Sequence, residues 1–299
     1  MKLRTRTAPK ATLALPAWFW FVFFFALPVM WIAYYSFGNK PDLYHAISTN
    51  TLNTHQYALA ASSTFLRTFI GTLRISITGT AICLLIALPF AYWLAVITPP
   101  RRRGLFLALV LVPFWTNFLV RTIGWRILLS PHGPVGFLLN LLGWHSGSLQ
   151  ILDTRAAVQL GVVYNYLPLM ILPIYVALER MDKALREASK DLGANRIRTF
   201  NQVTLPLAMP GVVAGCLLVF IPLTGDFITA TVLGGAKGNM AGQMVYDQFM
   251  IAQNWALGSA MAVELLVIIL LTTAIFGILG LGIRTFLRSR RRVNLAMAT

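Results

Sequence analysis

Acidic side chains are scarce in this 299-residue sequence: nine Asp and Glu stand against 25 Lys and Arg, a formal charge of +16. Charge of either sign is thin, at 11% of residues, where a water-soluble domain carries about 25%. With 57% hydrophobic residues and a mean hydropathy of +0.70, the chain is not one that folds around a single core behind a water-facing surface. Cysteine is nearly absent, and Cys83 and Cys216 both lie in apolar runs. They read as small buried hydrophobes and offer neither a disulfide framework nor a metal spacing. The four histidines, His45, His55, His132 and His145, lack the i, i+4 spacing of a helical metal site and read as polar loop residues. No Gly-x-x-x-x-Gly-Lys-Ser/Thr loop occurs, and Gly234-Gly-Ala-Lys-Gly238 is too short to cradle a nucleotide phosphate.

What is present is a series of apolar stretches, each near the roughly 20 residues needed to cross a bilayer core. They run Leu15–Phe37, Phe69–Ile97, Leu105–Leu128, Ala156–Leu178, Gly211–Leu233 and Leu257–Ile283. If all six span, the basic residues fall on one side. Lys2, Arg4, Arg6 and Lys10 lie in the N-terminal segment, and Arg101, Arg102 and Arg103 in the second connection. Arg180, Lys183, Arg186, Lys190, Arg196 and Arg198 lie in the fourth connection, and Arg284, Arg288, Arg290, Arg291 and Arg292 at the C-terminus. The positive-inside rule then places both termini in the cytoplasm. The basic excess is a topology signal, so no nucleic-acid partner is expected. Leu15–Phe37 is too long for a signal-peptide core and no small-residue cleavage site follows it, which makes it a retained first span.

The outward connections are 39–64, 130–153 and 234–255. In the second, the apolar Phe137–Trp144 follows a Pro- and Gly-rich start and suits a short helix along the interface. Aromatic residues collect near span ends, among them Trp18, Trp31, Tyr92, Trp125 and Trp255, as headgroup-level anchors do. Prolines recur inside spans at Pro28, Pro89, Pro113, Pro168, Pro173 and Pro222, which implies kinked helices whose freed backbone groups find partners. No internal repeat is visible, which argues mildly against an inverted-repeat secondary transporter.

The longest inward connection, 180–210, is different in kind. Asp182–Leu192 is rich in helix formers, with Ala184, Leu185, Ala188 and Leu192 on one stripe, and Gly193 suits the helix stop. An amphipathic surface helix needs its stripe covered, by a partner's groove or by the membrane interface. The residues alone leave both open.

Glu187-Ala188-Ser189, three residues, Gly193, nine residues, then Val203-Thr204-Leu205-Pro206 resembles the Glu-Ala-Ala loop of ABC importer permeases, departing only at Ser189 and Val203. The segments Pro113–Arg121, Leu205–Gly215 and Leu233–Lys237 add a similarity to the first permease subunit of spermidine/putrescine importers, and permeases for opines, aminoalkylphosphonates and ferric iron are relatives. The resemblance implies an all-α polytopic fold of six transmembrane helices with a cytoplasmic coupling helix, the type I ABC importer permease fold. Residues 1–14 and 286–299 would be cytoplasmic tails around a permease domain at 15–285. It implies that Glu187, Ala188, Ser189, Gly193, Leu205 and Pro206 couple the chain to an ATPase. It further implies a second homologous permease, two ATPase subunits that bind ATP and Mg, and a periplasmic solute-binding protein. This chain itself would hold no cofactor, have no catalytic residue, and not be an enzyme. A stand-alone secondary transporter or channel is the alternative from another class.

Two acids fall inside expected spans, Asp226 in the fifth and Glu264 in the sixth. A carboxylate at mid-bilayer costs about 2.5–3.5 kcal/mol on insertion scales, so each faces a cavity or a partner. Asp226 sits between Pro222 and Gly225, which interrupt the helix, and Phe227, as a cation ligand on a pore wall would. Pairing with Arg74, Arg121 or Arg126 is the other reading, and intersubunit pairing is the other reading for Glu264. Asp247, in an outward connection, is a ligand at the outer mouth or simply solvated. Trp115, Tyr164 and Tyr166 offer cation–π faces or packing. Arg67, Arg74, Arg121 and Arg126 keep a zwitterionic cargo open beside a polyamine.

Overall fold

The computed structural model describes residues 14–42, 44–141, 151–235 and 237–296, the last helix from 279 onward by its backbone alone. In chain order the helices are α1 (Leu15–Tyr35), α2 (His55–Ala60), α3 (Ser63–Ile97), α4 (Pro100–Trp115), α5 (Phe118–Leu129) and α6 (Pro134–Leu141). They continue with α7 (Arg155–Glu179), α8 (Lys183–Asp191), α9 (Arg196–Thr224), α10 (Ala230–Gly234), α11 (Ala241–Met250) and α12 (Trp255–Ala296). Among the described residues the extended backbone pairing is a single antiparallel bridge, Asn39 with Ser48. Five helices among the described residues, α1, α3, α7, α9 and α12 to Ile278, are long and apolar enough to cross a membrane, and a sixth is counted if the bent pair Pro100–Trp115 and Phe118–Leu138 forms one span.

The chain divides into two compact units. One runs to Leu66 and takes in Val245–Leu266; the other runs from Arg67 to Met244 and resumes at Val267.

In the first unit, α1 buries none of its apolar window. Its middle widens to a π-helical turn at Val22–Ala26, just before Pro28, whose ring would strike the carbonyl four residues back in tight winding. The segment after α1 is stitched by hydrogen bonds: Asn39 and Ser48 exchange two, at 2.9 and 2.7 Å. Lys40 Nζ donates to the Ala252 carbonyl (2.7 Å), and the Trp255 amide to that of Ala46 (3.1 Å).

The second unit is built on α7, half of whose apolar window is buried. α9 packs closely against α7 because Gly211 and Gly215 face it. A Cβ at Gly211 would stand 2.5 Å from the Pro173 carbonyl oxygen, and one at Gly215 2.9 Å from Met170 Sδ. Without a hydrophobic drive between helices in lipid, such small-residue approach is how they associate.

Two spans differ from expectation. The third is not one helix over Leu105–Leu128 but turns by 90° between Trp115 and Phe118. Pro113 weakens the last turn of α4, Thr116 is extended (ψ 153°), and Asn117 caps α5 by accepting from the Leu119 and Val120 amides at 2.9 and 3.3 Å. The fifth does not run Gly211–Leu233. Its helix starts at Arg196 and stops at Thr224, where Pro222 and Gly225 were expected to interrupt it. Of the short helix expected at Phe137–Trp144, the part to Leu141 is helical in α6; the remainder, with His145, lies outside the described residues.

Candidate functional site

The 180–210 connection folds as its pattern requires. Asp182 caps α8, its Oδ1 accepting from the Ala184 amide at 2.9 Å. Gly193 ends the helix at φ +81°, a left-handed conformation glycine adopts without steric cost. The stripe is bare: Leu185 is 47% exposed, Leu192 89%, and Ala184 and Ala188 are exposed too. Glu187 is also exposed, while Ser189 is half-buried, its Oγ 3.1 Å from Thr199 Oγ1. That bond ties α8 to the first turn of α9. Leu205 and Pro206 are half-buried in the base of α9, directly after a π-helical turn at Phe200–Thr204. They shape the helix base and are not part of the bare stripe.

A polar network occupies the same unit. Asp226 is 6% exposed and caps the turn leading into α10. Its Oδ1 accepts from the Thr229 amide (3.0 Å) and its Oδ2 from the Thr229 hydroxyl (2.5 Å). Asn165 Nδ2 donates to the hydroxyl oxygens of Thr229 (3.4 Å) and Thr122 (3.1 Å). Arg121 Nε in turn donates to Asn165 Oδ1 (2.8 Å), and its Nη1 to the Pro113 carbonyl (2.9 Å). The Arg121 guanidinium lies 5.6–5.8 Å from the ring centres of Phe114, Phe118 and Tyr164. Tyr166 is buried, its hydroxyl 3.4 Å from the Pro222 carbonyl and in reach of the Asp226 carboxyl. Tyr164 packs edge-on to Trp125.

Of the six residues expected on a cargo path, Asp226, Tyr164 and Tyr166 are brought together. Trp115 stands apart at the bend, 80% exposed. Asp247 and Glu264 belong to the other unit; both are half-buried and make no ion pair among the described residues. Burial pushes the Asp247 carboxyl above the usual carboxylate range. Arg126, offered as a partner of Asp226, instead donates to the Val232 carbonyl at 2.6 Å. Sequence reasoning missed Asn165, Thr122 and Thr229. Asn165 alone left a trace, as the amide between Tyr164 and Tyr166.

Comparison with known proteins covers all these elements. Residues 87–293 match the family of binding-protein-dependent transport system inner membrane components. The spermidine/putrescine transport system permease protein PotB of Haemophilus influenzae is 38% identical over 92% of this chain and 95% of its own length. PotB of Escherichia coli K12 is 36% identical over the same shares, 92% and 95%. Among solved structures, a chain of a bacterial ABC transporter that imports the acidic polysaccharide alginate superposes with a TM-score of 0.71. It is 15% identical, over 90% of this chain and 94% of that one, which is a likeness of fold.

Proposed function

The chain belongs to the family of binding-protein-dependent transport system inner membrane components, and from that premise we propose that it forms half of the translocation path of an ATP-driven importer for a polyamine of the spermidine/putrescine type. It is a multi-pass membrane subunit of an ABC system and not an enzyme. Its companions in this reading are a second, homologous permease, two ATPases that bind ATP and Mg, and a periplasmic solute-binding protein. Both termini face the cytoplasm, by the placement of the basic residues. The observation that carries the reading is α8: a capped amphipathic helix with a bare stripe, set between two spans, as a partner's groove requires.

Coupling falls to Glu187, Ala188, Ser189 and Gly193 at the docking helix, with Leu205 and Pro206 shaping the base of α9. Closure of the ATPases moves α8, and the spans exchange inward and outward access. For a cationic cargo, Asp226 is the carboxylate ligand, with Tyr164 and Tyr166 as aromatic faces. In the conformation described, Asp226 is engaged by Thr229, so cargo must displace that hydroxyl. Asp247, Glu264 and Trp115 would contribute elsewhere along the path. One observation favours a second cargo, an opine, amino-acid-like solute or aminoalkylphosphonate: Arg121 is satisfied by an amide, a carbonyl and aromatic rings, with no carboxylate paired to it among the described residues.

The test is uptake by the complete complex in proteoliposomes. ATP-dependent uptake of spermidine or putrescine is expected, competed by other polyamines. Uptake competed only by carboxylate- or phosphonate-bearing amines would transfer the assignment to the second cargo. Gradient-driven uptake without any ATPase would overturn both.

A further inference from the structure

Two π-helical turns lie at the ends of α3 and α9 nearest the coupling loop. In α3 the turn is Trp93–Ile97, and the Thr98 amide donates to the Trp93 carbonyl five residues back, at 3.0 Å. In α9 it is Phe200–Thr204, closed in the same way by the Leu205 amide on the Phe200 carbonyl. A π-turn holds one residue more than the α-helical turn it replaces, so the two windings are discrete alternatives.

The second turn meets the residue that leads into the first. Tyr92 and Phe200 meet edge to face, ring centres 5.4 Å apart and planes at 88°. Each turn is also fastened to the helices that carry the coupling loop. Thr199, next to Phe200, bonds to Ser189 of α8, and α8 packs on the Phe200–Thr204 turn. At the other turn, the Thr98 carbonyl accepts from Arg103 Nε at 3.0 Å, and Arg103 Nη1 is 3.7 Å from Glu179 Oε1. Tyr175 donates to that same oxygen at 2.6 Å, so this end is held to the last turn of α7. α7, α8, α9 and α3 thus form a closed circuit of contacts.

Inside the circuit the Thr204 hydroxyl is unsatisfied. Thr204 is 1% exposed and its Oγ1 has no hydrogen-bond partner among the described residues. A buried hydroxyl without a partner is unfavourable. In α-helical winding a threonine hydroxyl donates to the carbonyl four residues back, which at this position is Phe200.

We propose that Phe200–Thr204 is a register hinge that rewinds from π to α when α8 is displaced by its partner. The Thr204 hydroxyl then takes the Phe200 carbonyl as acceptor, and Tyr92 passes the displacement to the turn in α3. Thr204 and Tyr92 are positioning residues that touch neither cargo nor nucleotide. The inference rests on α8 being the coupling element.

The experiment uses the full complex in proteoliposomes, with Cys83 and Cys216 replaced by Ala. Single cysteines at Arg196, Ile197, Arg198, Leu207 and Val213 are labelled with a maleimide, at rest and after vanadate trapping. Rewinding by one residue turns the upstream positions by about 100° relative to the downstream ones. The order of labelling rates among 196–198 should therefore change, by about tenfold at one position or more, with 207 and 213 steady. An unchanged order in both states overturns the hinge. T204V should co-purify with the ATPases as wild type does while ATP hydrolysed per cargo molecule rises severalfold; an unchanged ratio also overturns it. E187R separates the two readings: if it leaves co-purification and uptake intact, the docking reading fails. If it abolishes both while trapping leaves the labelling order unchanged in the complex that keeps Glu187, the hinge alone fails.

Discussion

Arg121 and Asp226 share one buried network and never touch. Asn165 and Thr229 stand between them, through hydrogen bonds of 2.8, 3.4 and 2.5 Å. The arrangement joins the bend in the third span to the turn after α9 without forming an ion pair, which leaves the carboxylate available to a cation that displaces a hydroxyl.

Removing the intermediary should be costly. N165L strips partners from Arg121, Thr122 and Thr229 together, and leaving buried polar groups unpaired costs about 1–3 kcal/mol. The thermal midpoint of the purified subunit in detergent should fall by several degrees; no change would mean that water replaces the amide.

Cap and charge at Asp226 can be separated. Asparagine caps helices about as well as aspartate, whereas alanine forfeits about 1 kcal/mol. D226N should therefore retain wild-type expression and thermal stability while losing tenfold or more of polyamine uptake. D226A should lose both. Equal uptake by D226N and wild type would make the residue a cap and nothing more.

The Asp247 carboxylate carries a pH signature. Burial raises its pKa in the folded state above the ordinary 3.8. The neutral acid is thus favoured by folding, and the stability it contributes is complete below 3.8 and lost as pH rises through the higher folded value. If the ionised form meets cargo at the outer mouth, uptake at limiting cargo should fall as pH drops through that same interval. D247N should lack this acid limb; its persistence in D247N would assign it to another group.

On α8, L185D and L192D alter exposed side chains, Leu185 at 47% and Leu192 at 89%. The subunit's own stability should shift by no more than about 0.5 kcal/mol, as for surface changes elsewhere. Association with the ATPase should weaken tenfold or more, read by co-purification. Normal association would point to the membrane interface as what covers the stripe.

What the sequence made legible follows from which forces act locally. α8 was readable to within a residue because a capping Asp182, an apolar stripe and Gly193 are short-range signals. The spans were readable as hydropathy, the fourth to within a residue at each end, but the ends of the third and fifth were not. A polar run such as Arg196–Thr204 continues α9 because it packs against α8, which is a tertiary contact. The bend at Thr116 was hidden for a related reason. Proline occurs in many unbroken helices, and the break here is braced by Arg121 reaching back to the Pro113 carbonyl, a side-chain contact across the elbow. Asp226 was legible as an acid beside broken backbone, with Thr229 three residues on at capping spacing, but Asn165, which bonds Thr229, comes from a distant segment and leaves no mark in spacing.

The elbow also restricts where water can be. Counted from Pro100, it lies about 24 Å along the helix at 1.5 Å per residue, which is within the thickness of a hydrocarbon layer. Thr116 and Asn117 are exposed there, with backbone that belongs to no helix. Acyl chains offer such peptide groups nothing to bond with. The face bearing Trp115 to Asn117 should therefore turn from the lipid toward an aqueous lumen or a neighbouring chain.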